Sequence, residues 1–150
     1  MNPHRLLFIC TGNICRSPMA EGLARHLGAE LGRPIEARSA STLGLVDRPA
    51  DPHSVTVCRE LGVDIQDHRS RPILAEDVAW ADRILVMEGH HANHLHQHFP
   101  GHAAKVMLLG LLIGRSEIAD PIGRSERRFR ACRDEIHAAL RSYVKRLPAR

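Results

Sequence analysis

The sequence predicts an α/β fold, in which about four parallel strands form a sheet with helices packed on both faces. Short apolar runs alternate with segments of helical periodicity along the 150 residues. Several of these runs are apolar throughout, as expected for strands that are buried on both faces of a parallel sheet. No internal repeat, low-complexity tract or linker composition interrupts the pattern, so we expect a single domain over residues 1–150.

The first strand is predicted over Arg5–Cys10, an apolar run that ends at a Gly-Asn turn. A helix follows over Pro18–Leu31, where apolar residues recur every four positions. The second strand is predicted over Ile35–Ser39. Asp51 is typical of an N-cap and is followed by proline at the first helical position, so the next helix runs from there to about residue 61.

Two further strands are predicted over Arg83–Met87 and Lys105–Leu109, with a His-rich helix between them. The chain closes with a helix over Ser125–Arg146, which carries an apolar stripe formed by Phe129, Cys132, Ile136, Leu140 and Tyr143. In parallel sheets ligands bind beyond the carboxyl ends of the strands, so the loop after Cys10 is the first place to look for a site.

Charge and cysteine content exclude several classes of protein. The net charge of +4 comes mostly from arginine, with 19 Arg against 2 Lys. Between positions 124 and 135 arginines alternate with acidic residues, which indicates a solvated helix face rather than a nucleic-acid surface. Four cysteines do not form the dense framework of a secreted disulfide protein, and the apolar N-terminal run is too short for a signal peptide or a membrane span. We therefore expect a cytoplasmic protein with no nucleic-acid or membrane partner.

The loop CTGNICRSP, which covers residues 10–18, has the composition of a phosphate-binding loop that carries a nucleophile. It joins a buried strand to a helix N-terminus, where free N–H groups and the helix dipole attract an anion. Gly12 and Asn13 tolerate positive φ, and Arg16 offers a planar fork for two phosphate oxygens. These surroundings and the Ser17 hydroxyl favour the thiolate of Cys10. The candidate phosphate-binding residues are Thr11, Gly12, Asn13, Ile14, Cys15, Arg16 and Ser17.

This loop, at this place in the chain, resembles the signature of the low molecular weight protein tyrosine phosphatases. The resemblance extends through Asp51-Pro52, Asp67-His68-Arg69, the segment RILVME, Asp120-Pro121 and the last helix. It implies a flavodoxin-like sheet in the order 2-1-3-4. It also implies hydrolysis of phosphotyrosine on proteins through a phosphocysteine on Cys10, with no metal or cofactor and with phosphate ion as product. In bacteria the protein substrate of such enzymes is often an autophosphorylating tyrosine kinase.

A phosphatase of this kind needs an acid to protonate the leaving oxygen, and two Asp-Pro pairs compete for that role. Asp51 already begins a helix, whereas Asp120 lies in a loop before the last helix. From the residues alone a turn aspartate and a catalytic aspartate are equally compatible with this position. The resemblance assigns the acid to Asp120.

The resemblance also implies supporting roles for residues outside the loop. Ser39 and His68 match the positions that hold the loop in shape. Cys15 matches a cysteine that forms a disulfide with the nucleophile and protects it from irreversible oxidation. Family members usually place aromatic residues on both sides of the substrate ring, but here the corresponding positions hold Gly44, flanked by Leu43 and Leu45, and Ile122. We therefore expect weak binding of small aryl phosphates unless Trp80 or Phe99 supplies a wall.

Two other functions compete with this hypothesis. A thioredoxin-coupled arsenate reductase has a similar fold and loop but needs further cysteines after the third strand, where residues 82–89 have none. A metal-binding regulatory module would use Cys10 and Cys15 with the histidines at 90, 91, 94, 96, 98 and 102. A helix would place His90, His94 and His98 on one face.

Overall fold

A computed structural model describes residues 2–149 and shows a four-stranded parallel sheet. The strands are β1 (His4–Cys10), β2 (Ile35–Ser41), β3 (Arg83–Val86) and β4 (Val106–Leu108). They are hydrogen-bonded in the order β2-β1-β3-β4, and every pair is parallel. The order 2-1-3-4 is therefore confirmed, and each observed strand overlaps its predicted segment.

Five α-helices connect and cover the strands: α1 (Arg16–Glu30), α2 (Pro52–Arg59), α3 (Ala75–Trp80), α4 (Gly89–His98) and α5 (Glu126–Arg146). Short 3₁₀ helices at Pro100–Lys105 and Leu109–Ile113 flank β4. Helix α1 begins two residues before the predicted start. Helix α3 and the 3₁₀ helices were not predicted, because six or fewer residues are too few to show a helical period.

The helices pack on both faces of the sheet, as predicted. Alternate residues of β1 point to opposite faces, so Leu6 and Phe8 join one core with α1, α2 and α5. Leu7 and Ile9 join a second core with α3 and α4. All four side chains are at most 1% exposed, and burying each contributes about 1.5 to 3 kcal/mol.

The carboxyl end of β1 lies at the centre of the sheet edge where the loops converge. Cys10 is its last residue and pairs with Ser41 of β2, and the chain leaving β3 passes on the other side. The N-cap assigned to Asp51 is confirmed, since its Oδ1 accepts a hydrogen bond of 2.8 Å from His53 N. Among residues 2–149, no helix is long and apolar enough to cross a membrane.

Candidate active site

The loop between β1 and α1 curls around the sulfur of Cys10. Asn13 has a φ of +57°, which turns its backbone N–H toward the sulfur at an N···Sγ distance of 3.3 Å. The Ser17 hydroxyl lies 2.9 Å from the same sulfur. Since Asn13 Nδ2 donates to Ser17 Oγ at 2.7 Å, the hydroxyl hydrogen of Ser17 is available to the sulfur. Two hydrogen-bond donors therefore converge on Cys10 Sγ.

Asn13 holds the loop in this strained conformation through hydrogen bonds on several sides. Its Nδ2 also donates to Ser39 Oγ at 2.9 Å, and its Oδ1 accepts from Arg71 N at 3.1 Å. Its carbonyl oxygen accepts from His68 Nε2 at 2.7 Å. Burial lowers the pKa of His68, so a neutral ring with hydrogen on Nε2 makes this bond. The structure thus brings Ser39 and His68 to the loop, where the sequence placed them, and adds Arg71.

Arg16 is buried beneath the loop. One edge of its guanidinium group, at Nη1, is hydrogen-bonded to the protein, and the other edge is formed by Nε and Nη2. Its side chain is 1% exposed, and Nη1 donates to Ile118 O at 2.7 Å and to Glu88 Oε2 at 2.8 Å. Within residues 2–149, Nε and Nη2 are buried without a hydrogen-bond partner. Nη2 lies 3.5 Å from Asp120 Oδ2, which is an ion-pair distance but not a hydrogen bond. A buried donor without an acceptor costs about 1 to 3 kcal/mol, so this edge is suited to a ligand that supplies acceptor oxygens.

Negative groups around Arg16 keep it charged in this buried position. Burial by itself lowers the pKa of Arg16, but charge at Cys10, Asp120 and Glu88 raises it above the usual value. For Glu88, burial raises the pKa, but the hydrogen bond to Arg16 and the charge of Arg16 outweigh this effect and bring the pKa below its usual value. The sequence assigned no role to Glu88, although it lies two residues after β3 at the edge of the sheet where β1 ends.

His91 supports the loop from helix α4 and was also missed. Its Nδ1 accepts from Glu88 N at 3.1 Å, so Nε2 carries the hydrogen and donates to Thr11 Oγ1 at 2.9 Å. The side chain is fully buried, and burial together with nearby positive charge lowers its pKa to about 3. A neutral histidine therefore fixes Thr11 in the loop.

A cavity of about 230 Å³ opens above Cys10 and Arg16, and Asp120 lies at its mouth. Asp120 is 35% exposed, and its Oδ1 accepts from Ile122 N at 3.1 Å. The remaining walls are mainly aliphatic, formed by Ile14, Leu43, Leu45 and Ile122.

The wall positions differ in detail from those expected. Gly44 has a φ of +81° and does not line the cavity, whereas its neighbours Leu43 and Leu45 do. Trp80 and Phe99 do not supply a wall: the Arg38 guanidinium stacks on the Trp80 ring at 4.1 Å, and both aromatic side chains pack against the core beneath α3 and α4. The cavity therefore has no aromatic wall among the residues that line it.

The sequence profile of the low molecular weight phosphotyrosine protein phosphatases matches residues 5–150. The chain belongs to this family. It is 32% identical over 147 residues to the protein-arginine-phosphatase of Geobacillus stearothermophilus, covering 97% of each protein. It is 34% identical over 142 residues to the low molecular weight protein-tyrosine-phosphatase Etp of Escherichia coli K12, covering 95% of this chain and 93% of Etp.

Solved structures of the phosphatase family have the same fold. A mutant of the YwlE arginine phosphatase with a phosphorylated active-site serine superposes with a TM-score of 0.90 at 32% identity, covering 95% of each chain. These likenesses show a phosphatase that acts on phosphorylated proteins through a covalent intermediate.

Membership of the phosphatase family disfavours the arsenate reductase hypothesis, and the cysteines agree. Cys58 and Cys132 are buried on α2 and α5, where burial raises the pKa of each thiol to about 12. Such thiols are packed and unreactive.

The metal-binding hypothesis is disfavoured as well, because the groups that it needs are already in use. Ligand atoms of Glu88, His90 and His91 lie within 4.8 Å of one another. However, Glu88 binds Arg16, and both ring nitrogens of His91 are hydrogen-bonded to the chain. His94 and His98 share one face of α4, as predicted, with ring centroids 4.3 Å apart.

Proposed function

We propose that this chain hydrolyses phosphotyrosine on protein substrates, with Cys10 as nucleophile, Arg16 as phosphate ligand and Asp120 as general acid. The observation that carries the proposal is the pair of unsatisfied donors on buried Arg16, beside the Cys10 sulfur in one cavity with Asp120. A phosphate dianion would supply the acceptor oxygens that Nε and Nη2 lack. The same contacts orient phosphorus for attack by the sulfur.

In the first step the Cys10 thiolate attacks phosphorus, and a sulfur–phosphorus bond forms as the bond from phosphorus to the tyrosine oxygen breaks. Asp120 gives its proton to that oxygen, so the leaving group departs as a neutral phenol. The carboxylate left on Asp120 then takes a proton from water. This water attacks phosphorus, the sulfur–phosphorus bond breaks, and phosphate leaves with the Cys10 thiolate restored.

An aryl phosphate fits the cavity better than a phosphorylated guanidinium. Four aliphatic side chains form the walls, and they exclude water from a phenyl ring without needing a polar partner. A guanidinium carries several N–H donors that require acceptors, and among the lining side chains only Thr11 and Asp120 offer oxygen. Assays with matched phosphotyrosine and phosphoarginine peptides compare the two directly, and faster turnover of phosphoarginine would refute the assignment.

The roles of the catalytic residues are tested by substitution. Cys10→Ser should abolish turnover, and Asp120→Ala should lower kcat by on the order of 10²- to 10⁴-fold for phenyl phosphate and by less for esters with better leaving groups. Asp51→Ala removes the other Asp-Pro pair and is expected to leave the dependence on the leaving group unchanged. The mechanism is wrong if Asp120→Ala has no effect on phenyl phosphate or if chelators abolish activity.

We also propose a compartment and a protein substrate for this reaction. A free thiol at Cys10 requires a reducing environment, and all four cysteines are unpaired, so we place the reaction in the cytoplasm.

An autophosphorylating tyrosine kinase is the protein substrate to test first. The Cys10→Ser protein should retain the phosphorylated kinase, and free phosphate should release it.

A further inference from the structure

A second cavity begins where the active-site cavity ends. Its volume is about 200 Å³, and it shares Asp120 with the cavity above Cys10. Arg124 and Arg128 line it together with Glu135 and the first two turns of α5. A substrate protein with its phosphorylated residue over Cys10 would therefore place a neighbouring residue close to these two arginines.

Among the arginines of residues 124–133, Arg124 and Arg128 line the second cavity and are unpaired within the described part of the chain. Both are exposed, and within residues 2–149 neither guanidinium makes an ion pair or hydrogen bond. In contrast, Arg130 binds both carboxylate oxygens of Glu60, and Arg133 binds Glu60 and Asp134.

The acidic groups of the second cavity are engaged elsewhere. Glu135 lies 4.0 Å from Arg115, and Asp120 lies 3.5 Å from Arg16 while accepting from Ile122 N. The two arginines also flank the N-terminal end of α5, where the helix dipole disfavours positive charge. Their position thus weakens the helix without any ion pair in return.

We propose that Arg124 and Arg128 form a subsite for an anionic group on a residue flanking the phosphorylated residue of the substrate. This inference rests on the proposed phosphatase activity and adds a substrate class to it, namely acidic peptide segments. A guanidinium fork binds a carboxylate or a second phosphate through paired hydrogen bonds. Both groups share the chemistry that the subsite recognises.

The experiment compares kcat/KM for phosphotyrosine peptides that differ only in the flanking residues. One peptide carries Glu on both sides, the second carries Gln, and the third carries a second phosphotyrosine. At low salt we expect the native enzyme to prefer the Glu peptide over the Gln peptide by about 3- to 20-fold, which is typical of one or two partly exposed ion pairs. The preference should decline as salt screens the charges.

Matched variants test whether Arg124 and Arg128 cause the preference for the Glu peptide. In R124Q/R128Q the ratio of kcat/KM for the Glu peptide to kcat/KM for the Gln peptide is expected to fall to about one, since the subsite charge is gone. R127Q removes one positive charge from the first turn of α5, against two in the double variant, but Arg127 does not line the cavity, so R127Q should keep the native ratio. Comparison of the third peptide with the first distinguishes a phosphate from a carboxylate as the better ligand.

The inference is overturned if the native ratio is one for both anionic peptides, or if R127Q loses the preference as much as R124Q/R128Q. Failure of the proposed function gives a different result, because the native enzyme would then hydrolyse neither phenyl phosphate nor any of the three phosphotyrosine peptides.

Discussion

Arg16 shows how one buried side chain divides its donors between structure and ligand. Nη1 is held by Ile118 O and Glu88, which fixes the plane of the guanidinium. Within the described residues, Nε and Nη2 are left without acceptors, and Arg16 lines the cavity. Lysine at this position could not hold one donor in place and present two others in a fixed plane. The fixed plane therefore explains why the loop uses arginine at this point.

Cys15 is the residue whose predicted role can be tested most directly. It lines the same cavity as Cys10, and both are free thiols in the structure. Burial, followed by the nearby charge of Asp51, raises the pKa of the Cys15 thiol, so Cys10 is expected to react first with peroxide. The sulfenic acid that peroxide forms on Cys10 would then condense with the Cys15 thiol, giving a disulfide and water. Peroxide treatment followed by a thiol reductant should restore activity in the native protein but poorly in Cys15→Ala.

The control for this experiment is Cys58→Ala, which removes a buried thiol on α2 that does not line the cavity. It should recover like the native protein. Equal recovery of native and Cys15→Ala proteins would mean that Cys15 is only a packed side chain.

At the scale of residues, the sequence was most informative within the loop and least informative across the chain. Cys10, Arg16 and Ser17 lie within eight positions, and their chemistry is legible from spacing and residue type. Glu88 and His91 reach the loop only because β3 pairs with β1, so their contacts join residues more than 70 positions apart. Without a known pairing of strands, the sequence assigned no role to Glu88 and suggested His91 only as one of several candidate metal ligands.

At the scale of elements, the wall of the cavity depends on the conformation of one segment, residues 42–46, after β2. Gly44 adopts a left-handed φ of +81°, which places Leu43 and Leu45 on the cavity. Leu43 is 64% exposed and Ile122 is 50% exposed, so the walls are shallow and incomplete without a substrate. Sequence reasoning located the segment, but it could not show which of its side chains point inward, because a positive φ redirects the chain.

Aromatic walls should improve binding of small aryl phosphates. Aromatic pairs add about 0.5 to 1.5 kcal/mol each beyond buried area, so Leu43→Trp with Ile122→Tyr should lower KM for phenyl phosphate by about 5- to 150-fold, with kcat largely kept. We choose Leu43 for the new aromatic residue, although Gly44 is the position that matches the family's aromatic wall, because a bulky side chain at the Gly44 φ of +81° would be strained.

The matched control is Leu111→Trp, which adds the same ring at a leucine that is 57% exposed and outside the cavity. Its KM should equal that of the native enzyme. If native KM is already low and the double variant gains nothing, the aliphatic walls are sufficient and this interpretation of the pocket is wrong.

At the scale of the whole molecule, the parallel sheet brings together site residues from distant segments of the chain. Three segments leave the sheet at its carboxyl edge, namely the phosphate loop, the segment after β2 and the segment after β3. Asp120 reaches the site from the loop before α5. Alternation of strands and helices predicted this architecture from hydrophobic period alone. The order of the strands came from the family resemblance, because periodicity does not specify which strands are neighbours.

The stability of the whole molecule should fall as soon as the pH drops below about 6.5. Burial, together with nearby positive charge, lowers the pKa of His91 from 6.5 to about 3, so the unfolded chain binds a proton that the folded protein does not. Stability is therefore full above the unfolded pKa and is lost progressively as the pH falls toward the folded value. One pKa unit is about 1.4 kcal/mol, so His91 alone contributes on the order of a few kcal/mol over this window. The lowered pKa values of His68, His94 and His137 act in the same direction.

Urea unfolding at a series of pH values between 8 and 4 measures this contribution, because the slope of unfolding free energy against pH counts the protons bound on unfolding. His91→Asn is expected to be less stable than the native protein at pH 8 but to show a shallower slope below about 6.5, since the unfolded variant binds one proton fewer. His96→Asn, which removes an exposed histidine of the same helix, is the matched substitution for comparison. Parallel slopes for the native and His91→Asn proteins would show that the ring of His91 is protonated in the folded state, which is incompatible with the hydrogen bond that it accepts from Glu88 N.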